Sequence, residues 1–279
     1  MKRMFSNQKA EKFKQYLCED EKSTVTVEKY MRDIHTFARY VGDGEITKAA
    51  VLSYKEQLGE KYAVASANSM LAALNCFFRF CGWHNLCVKQ FKAQKKAFCP
   101  AEKELTKEEY RRLVNAAEQK HNERLSLLIQ TICATGIRVS ELSYVTAEAV
   151  QKGQATVSCK GKTRTIFIVA TLQKKLIRYA KEQHIASGAI FITKSGKPMN
   201  RCNIWREMKA LCTEAGVAPS KVFPHNLRHL FARTFYSMEK DIAKLADILG
   251  HTNINTTRIY IVTTGAEHRR KMEHMRLVV

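Results

Sequence analysis

Proline is scarce in this chain, at 4 of 279 residues, while hydrophobic residues make up 45%. That balance excludes a disordered segment and leaves enough apolar material for real cores. Long apolar runs are missing. No stretch approaches the ~18 consecutive apolar residues of a spanning helix, and the start, MKRMFSNQKAEKFKQYL, lacks the apolar stretch of a signal peptide. A cytoplasmic protein with no membrane segment is expected. The 9 cysteines are odd in number and contain no C-x-x-C. Cys76, Cys81 and Cys87, the closest set, match no common zinc spacing. Buried thiols in a reducing compartment are the expectation.

Acidic residues are also few, 26 against 47 Lys plus Arg, for a formal charge of +21. Residues 1–99 carry 17 basic and 10 acidic side chains, the remainder 30 and 16, so both parts are basic. A polyanion gripped from two sides fits that distribution, which points to nucleic acid as partner. An anionic membrane surface comes second, but no basic amphipathic segment argues for it.

The first part of the chain reads as helices. Thr26 is placed to cap a helix carrying Val27, Tyr30, Ile34, Phe37 and Val41, and Thr47 another through Val51, Tyr54 and Leu58. VASANSMLAALNCFFRFCGW puts Val64, Met70, Leu71, Leu74, Phe77, Phe78 and Cys81 on one face. Ser66, Ser69, Asn75 and Arg79 fall elsewhere, as short contacts to a phosphate backbone or as a solvated face. VKQFKAQKKAFCPAEKE has no periodicity and reads as a linker. The expected organisation is a helical DNA-binding domain over 1–92, a linker over 93–104, and a second domain over 105–279 ending in a tail. Thr106 and Glu109 have capping-box spacing at the second domain's first helix. RLSLLIQTICATG is a buried helix ending at Thr135-Gly136, followed by a short helix opened by Arg138. ATVSCKGKTRTIFIV is a hairpin with its basic tip at Lys160-Gly161-Lys162-Thr163, and AIFITKSGKPM a smaller strand and turn. Helices resume in NIWREMKALCTEAG, NLRHLFARTFYSM and DIAKLADILG. The fold class is mostly α with a small β element. In the tail AEHRRKMEHMRLVV, Met272, Met275 and Val279 form an apolar stripe on a final helix.

Four segments stand out: ATGIRVSEL, SCKGKTR, PHNLRHLFA and LGHTNINTTRIY. They hold Arg138, Lys160, His225, Arg228, His251 and Tyr260. Singly, each reads as a surface charge, a satisfied histidine or a packing tyrosine; the inference rests on all six in order. The ordered set resembles the tyrosine recombinase, or phage integrase, family over essentially the whole chain, most specifically from about residue 105 onward. The resemblance implies a SAM-like helical domain followed by an α+β catalytic domain, in a simple Xer-like two-domain layout without a separate arm-binding domain. It also implies a site-specific recombinase that clamps double-stranded DNA and acts as a homo-tetramer on two sites through a 3′-phosphotyrosine.

On this resemblance Tyr260 is the nucleophile and His225 its base, while Arg138 and Arg228 bind the non-bridging oxygens as permanently charged donors. Lys160 protonates the leaving 5′ oxygen, with Lys162 as the alternative, and His251 adds a hydrogen bond to the phosphate. Gly250 lets His251 turn inward, and the Thr256-Thr257 pair is placed to cap the helix presenting Tyr260. His229 is expected to pack or bind backbone. Glu141, one turn beyond Arg138, is expected to orient it. No metal is implied, since the acidic residues form no cluster beside these segments and the cations supply the charge that Mg²⁺ would. No cofactor is implied either, because no nucleotide-binding glycine loop is present. Two other readings stay open: a type IB topoisomerase, which shares the chemistry, and a non-catalytic DNA-binding protein of the same fold.

Overall fold

The computed structural model describes residues 3–92, 103–159, 162–260 and 265–275. The chain divides into two compact units, Met1–Lys95 and Lys96–Val279.

The first unit is built from α1 (Asn7–Glu19), α2 (Thr24–Val41), α3 (Lys48–Lys61) and α4 (Val64–Phe80). Phe13, Ile34, Phe37, Leu71, Leu74, Phe77 and Phe78 are fully buried between them. Phe13 meets Phe77 edge-on at 5.2 Å, and Phe37 meets Tyr54 at 5.1 Å. Thr47 caps α3 as expected, accepting from the Ala50 N–H at 3.2 Å. The cap of α2 is different from expectation. The helix begins nearly a turn before its first buried residue, Val27, and the Ser23 carbonyl accepts from the N–H groups of Thr26 and Val27. Thr26 is therefore inside the helix, with its hydroxyl 2.9 Å from that of Ser23. Asn75 is committed to structure, because its amide bonds both the N–H and the carbonyl of Val88 and pins the chain that follows α4.

The second unit begins with α5 (Lys107–Gln119) and α6 (Glu123–Thr135). Thr106 and Glu109 form the capping box that opens α5. Helix α6 is the unit's centre; Leu125, Leu127, Leu128, Ile129 and Ile132 are all buried around its circumference. It ends at Gly136 in the left-handed region, with φ 64°. A β-carbon there would lie 2.5 Å from the Phe231 ring, so both backbone and space require glycine. A 3₁₀ turn over Val139–Tyr144 and the short α7 (Ala147–Gln151) lead to the sheet.

Strands β1 (Gln154–Cys159) and β2 (Lys162–Phe167) pair antiparallel, Gln154 opposite Phe167 and Cys159 opposite Lys162. Ala155, Val157 and Ile166 face the core and Thr156, Thr165 and Phe167 face solvent, the alternation of a sheet covered on one side. The smaller strand expected around Phe191 is reduced to two isolated bridges, Ala189 with Thr146 and Ile192 with Pro198, the second closing a turn over Thr193–Lys197. Helix α8 (Ala170–Glu182) packs on α6 and α7. Then come α9 (Arg201–Lys209), α10 (Cys212–Ala215), α11 (Pro224–Glu239), α12 (Ile242–Leu249), α13 (Ile254–Arg258) and α14 (Gly265–His274). Met272 and Met275 of the tail are exposed. Lys160 and Val279 lie outside the described residues, as does most of the expected linker.

Candidate active site

Pro224 starts α11 where its missing N–H costs nothing. His225, Arg228 and His229 follow at three- and four-residue spacings and share a face. Helix α12 stops at Gly250, φ 65°, with the His251 N–H returning to the Ala246 carbonyl at 2.9 Å. This left-handed closure swings His251 towards α11. The short α13 then carries the chain to Tyr260. Its cap is Asn253, which accepts from the Asn255 N–H at 2.8 Å. Thr256 and Thr257 are inside α13 and cap nothing, because the helix starts earlier than their position suggested.

The structure brings five of the six sequence-derived residues together. The Tyr260 hydroxyl is 3.5 Å from His225 Nε2. The Tyr260 ring packs against His229, 4.2 Å between centroids, and lies 5.4 Å from the His251 ring. Arg228, 1% exposed, donates to the Gly136 carbonyl, to the Leu249 carbonyl at 2.7 Å and to His251 Nε2 at 3.0 Å. A guanidinium only donates, so His251 Nε2 accepts, and the ring proton sits on Nδ1 facing the Thr257 hydroxyl at 2.9 Å. Arg228 thus sets the tautomer of His251, and the fully buried Thr257 hydroxyl accepts the Nδ1 proton and holds it in place.

Glu141, 2% exposed, is the hub on the other side. One oxygen accepts from the Arg138 side chain at 2.9 Å; the other accepts from the Arg138 backbone at 3.0 Å and from Arg164 at 2.6 Å. Arg164, on β2, also donates to the Ile248 carbonyl, and Arg138 reaches the Gly250 carbonyl at 3.2 Å. Three successive carbonyls at the end of α12, Ile248, Leu249 and Gly250, are therefore taken by Arg164, Arg228 and Arg138. These are groups a helix leaves unpaired, at the negative end of its dipole, and they gather the three cations at one point.

Burial first, and then the gathered cations, depress the titration of the histidines and of Arg228. His251 is pushed down to about 4, by burial first and then by Arg228, Arg138 and Arg164. His229 is also pushed to about 4 by burial, His225 and Arg228. His225 lies below its usual value through desolvation and the charges of Arg228, Arg138 and Arg201. Arg228 falls to about 10, from burial and then Arg138, and stays a cation at neutral pH. Burial alone would raise Glu141, but hydrogen bonds from the Arg138 backbone and side chain and the charge of Arg164 outweigh it, so its pKa is lowered.

The cluster opens into a cavity of about 380 Å³ walled by Arg138, Arg201, Trp205, His225, Arg228 and Tyr260, with Phe223 and Pro224 at one side. The buried Nε of Arg228 has no partner among the described residues. Neutral histidines beside a tyrosine hydroxyl, in a pocket lined by guanidinium groups, suit an oxyanionic substrate attacked by that hydroxyl. Lys160 lies outside the described residues, and β2 begins at Lys162. Arg164 and Thr257 were not among the expected site residues. Strand alternation carries the signal for Arg164, which shares the inward face of Ile166.

Two family models match the chain: the phage integrase family over residues 103–266, and the phage integrase N-terminal SAM-like domain over residues 10–85. Tyrosine recombinase XerA of Pyrococcus furiosus is 29% identical, covering 96% of this chain and 94% of its own. Tyrosine recombinase XerD of Halalkalibacterium halodurans is 28% identical over 90% of this chain and 91% of its own. A lambda integrase dimer bound to a core site shares the fold at a TM-score of 0.75 and 18% identity, covering 92% of this chain and 95% of that one. XerH bound to its difH substrate before cleavage superposes at 0.70 and 17% identity, over 97% and 99%.

Proposed function

The chain belongs to the phage integrase family, and from that premise we propose that it is a site-specific DNA recombinase working through Tyr260. The observation that carries this reading is the Tyr260 hydroxyl, 3.5 Å from His225 Nε2 inside a cavity walled by Arg138 and Arg228. That separation is long for a hydrogen bond, as catalytic contacts are before substrate draws them in.

Tyr260 Oη attacks the phosphorus of one DNA strand, and the bond to the 5′ oxygen breaks. A 3′-phosphotyrosine forms, and the strand's 5′ hydroxyl is released. His225 takes the tyrosine proton, and its lowered pKa keeps the imidazole neutral and able to accept at pH 7. Arg138, more than a third exposed, receives one non-bridging oxygen, and the unpartnered Nε–H of Arg228 receives the other. His251, fixed by the same α12 terminus that holds the arginines, accepts from Arg228 at 3.0 Å and steadies that guanidinium beside the cavity. The proton for the leaving 5′ oxygen comes from the hairpin tip, from Lys160 in the family pattern. Attack by a 5′ hydroxyl from a partner strand reverses the steps and reseals the DNA without an external energy source.

Strand exchange needs two sites, and we assign the working form to a homo-tetramer on double-stranded DNA. A related lambda integrase structure is described as a tetramer bound to a Holliday junction. No described helix is long and apolar enough to cross a membrane, and a cytoplasmic location fits DNA as substrate. The two domains of the proposal follow 1–92 and 105–279. A plasmid carrying two copies of the site, mapped by sequencing covalent junctions from cells, tests the function. Recombinant circles support it; relaxation of supercoils without recombinants assigns a type IB topoisomerase instead.

A further inference from the structure

Two aromatic side chains wall the cavity and take no part in the chemistry above, Phe223 and Trp205, and Trp205 is the larger and the more exposed to solvent. Trp205 is 50% exposed on α9 and lines the same space as Arg138, His225, Arg228 and Tyr260. Arg201, Trp205 and Lys209 follow one another at four-residue spacing and share a helix face. Arg201 reaches the site electrostatically, being one of three arginines that depress His225. Lys209 Nζ lies 5.2 Å from the indole centroid and is anchored on the Pro219 carbonyl. An apolar ring stands half in water between two cations, at the mouth of a cationic pocket.

A cavity of about 380 Å³ is in the range of small-molecule sites, more than a phosphate group alone fills. Guanidinium groups hold any phosphate equally and carry no information about where along a strand they have landed. An aromatic ring adds an apolar contact that only the adjoining nucleotide can satisfy, because stacking needs a ring face and not a charge. Tryptophan beside lysine and arginine is the combination by which proteins track nucleic-acid strands.

We propose that Trp205 forms a nucleotide subsite. Its indole takes the ring face, deoxyribose or base, of the nucleotide adjoining the attacked phosphate, while Arg201 and Lys209 hold the flanking phosphates. The contact rests on the recombinase reading of the cavity and specifies how the strand is placed in it: the indole sets which phosphorus faces Tyr260.

The test uses duplexes bearing the mapped cleavage site with a natural nucleotide, an abasic tetrahydrofuran or an open propanediol spacer on either side of the attacked phosphate. Binding is measured in full-length Tyr260→Phe protein carrying Trp205, Trp205→Phe or Trp205→Ala. On the natural duplex, Trp205→Ala should weaken binding about 5- to 100-fold, the range for loss of one aromatic stack. Trp205→Phe should stay within about threefold, since a ring remains. The alanine penalty should vanish on the abasic duplex if the base is the contact, and only on the propanediol duplex if the sugar is. A penalty equal on all three substrates, as misfolding would give, overturns the proposal; so does no penalty on the natural duplex. Covalent capture of DNA by the chain with Tyr260 and Trp205 intact tests the recombinase reading separately. Absence of that adduct sinks the reading whatever the spacer series shows.

Discussion

Replacing Glu141 by glutamine removes one negative charge at the point where two arginines meet. The Glu141 side chain is 3% exposed, with Arg164 at 13% and Arg138 at 37%. Stripping a partner from a buried ion pair costs about 3–5 kcal/mol, because the remaining charge stays buried. Arg164 keeps the Ile248 carbonyl, so its share is the lower end, about 3 kcal/mol. The Arg138 contact is more than a third exposed and adds about 1 kcal/mol at most. A loss of about 3–4 kcal/mol corresponds to a drop of roughly 10 °C in Tm for a unit of this size. The pH dependence has a definite sign. The folded pKa of Glu141 is depressed below its usual 4.5, so its contribution is complete above that value and fades as pH falls through the lower, folded one. Glutamine resembles the protonated carboxyl. The gap between wild type and Glu141→Gln should therefore be full at pH 7 and narrow below about pH 4.5. Urea unfolding of both proteins across that range measures it. A gap under about 1 kcal/mol at pH 7, or one that does not narrow in acid, refutes the hub role.

Gly250→Ala should cost about 1–2 kcal/mol from the left-handed backbone alone. It should also slow cleavage, because its β-carbon would lie 2.5 Å from Arg164 Cδ; wild-type cleavage by the variant would contradict this. Thr257→Val removes the acceptor facing His251 Nδ1 and should slow cleavage about tenfold or more, with a stability loss of about 1 kcal/mol. Thr257→Ser should retain most activity, and equal rates for the two variants would remove the tautomer argument. Lys160→Ala should be rescued by a bridging 5′-phosphorothiolate, whose sulfur leaves without a proton. Rescue of Lys162→Ala alone moves the acid to that position.

Local rules made much of this legible. The Thr106–Glu109 capping box, the Thr47 cap, the glycine stops at Gly136 and Gly250, and the hairpin all depend on neighbours within a few residues. Glu141 was recoverable as the orienter of Arg138 because the two are three residues apart. The α2 start was misplaced because an apolar pattern marks where burial begins, while the backbone turned one residue after Ser23. Asn253 displaced Thr256 and Thr257 as the α13 cap for a similar reason. The convergence of Arg164, Arg228 and Arg138 on three successive carbonyls could not be read from sequence. It joins a strand, a helix and a 3₁₀ turn to a fourth element far along the chain, and no periodicity encodes such a meeting. Thr257 was likewise hidden, since its partner His251 is fixed by the glycine turn and by Arg228 together.

The central claim is that the Tyr260 hydroxyl becomes covalently bound to DNA. A duplex carrying the mapped site with a nick beside the cleavage position loses its short 5′-hydroxyl fragment on cleavage and traps the intermediate. Wild-type protein should give a denaturant-resistant adduct, and digestion should recover the phosphorylated peptide containing Tyr260. Tyr260→Phe keeps the ring packed on His229 and should bind the same duplex without any adduct. An adduct formed equally by the phenylalanine variant, or mapped to another residue, would contradict the account.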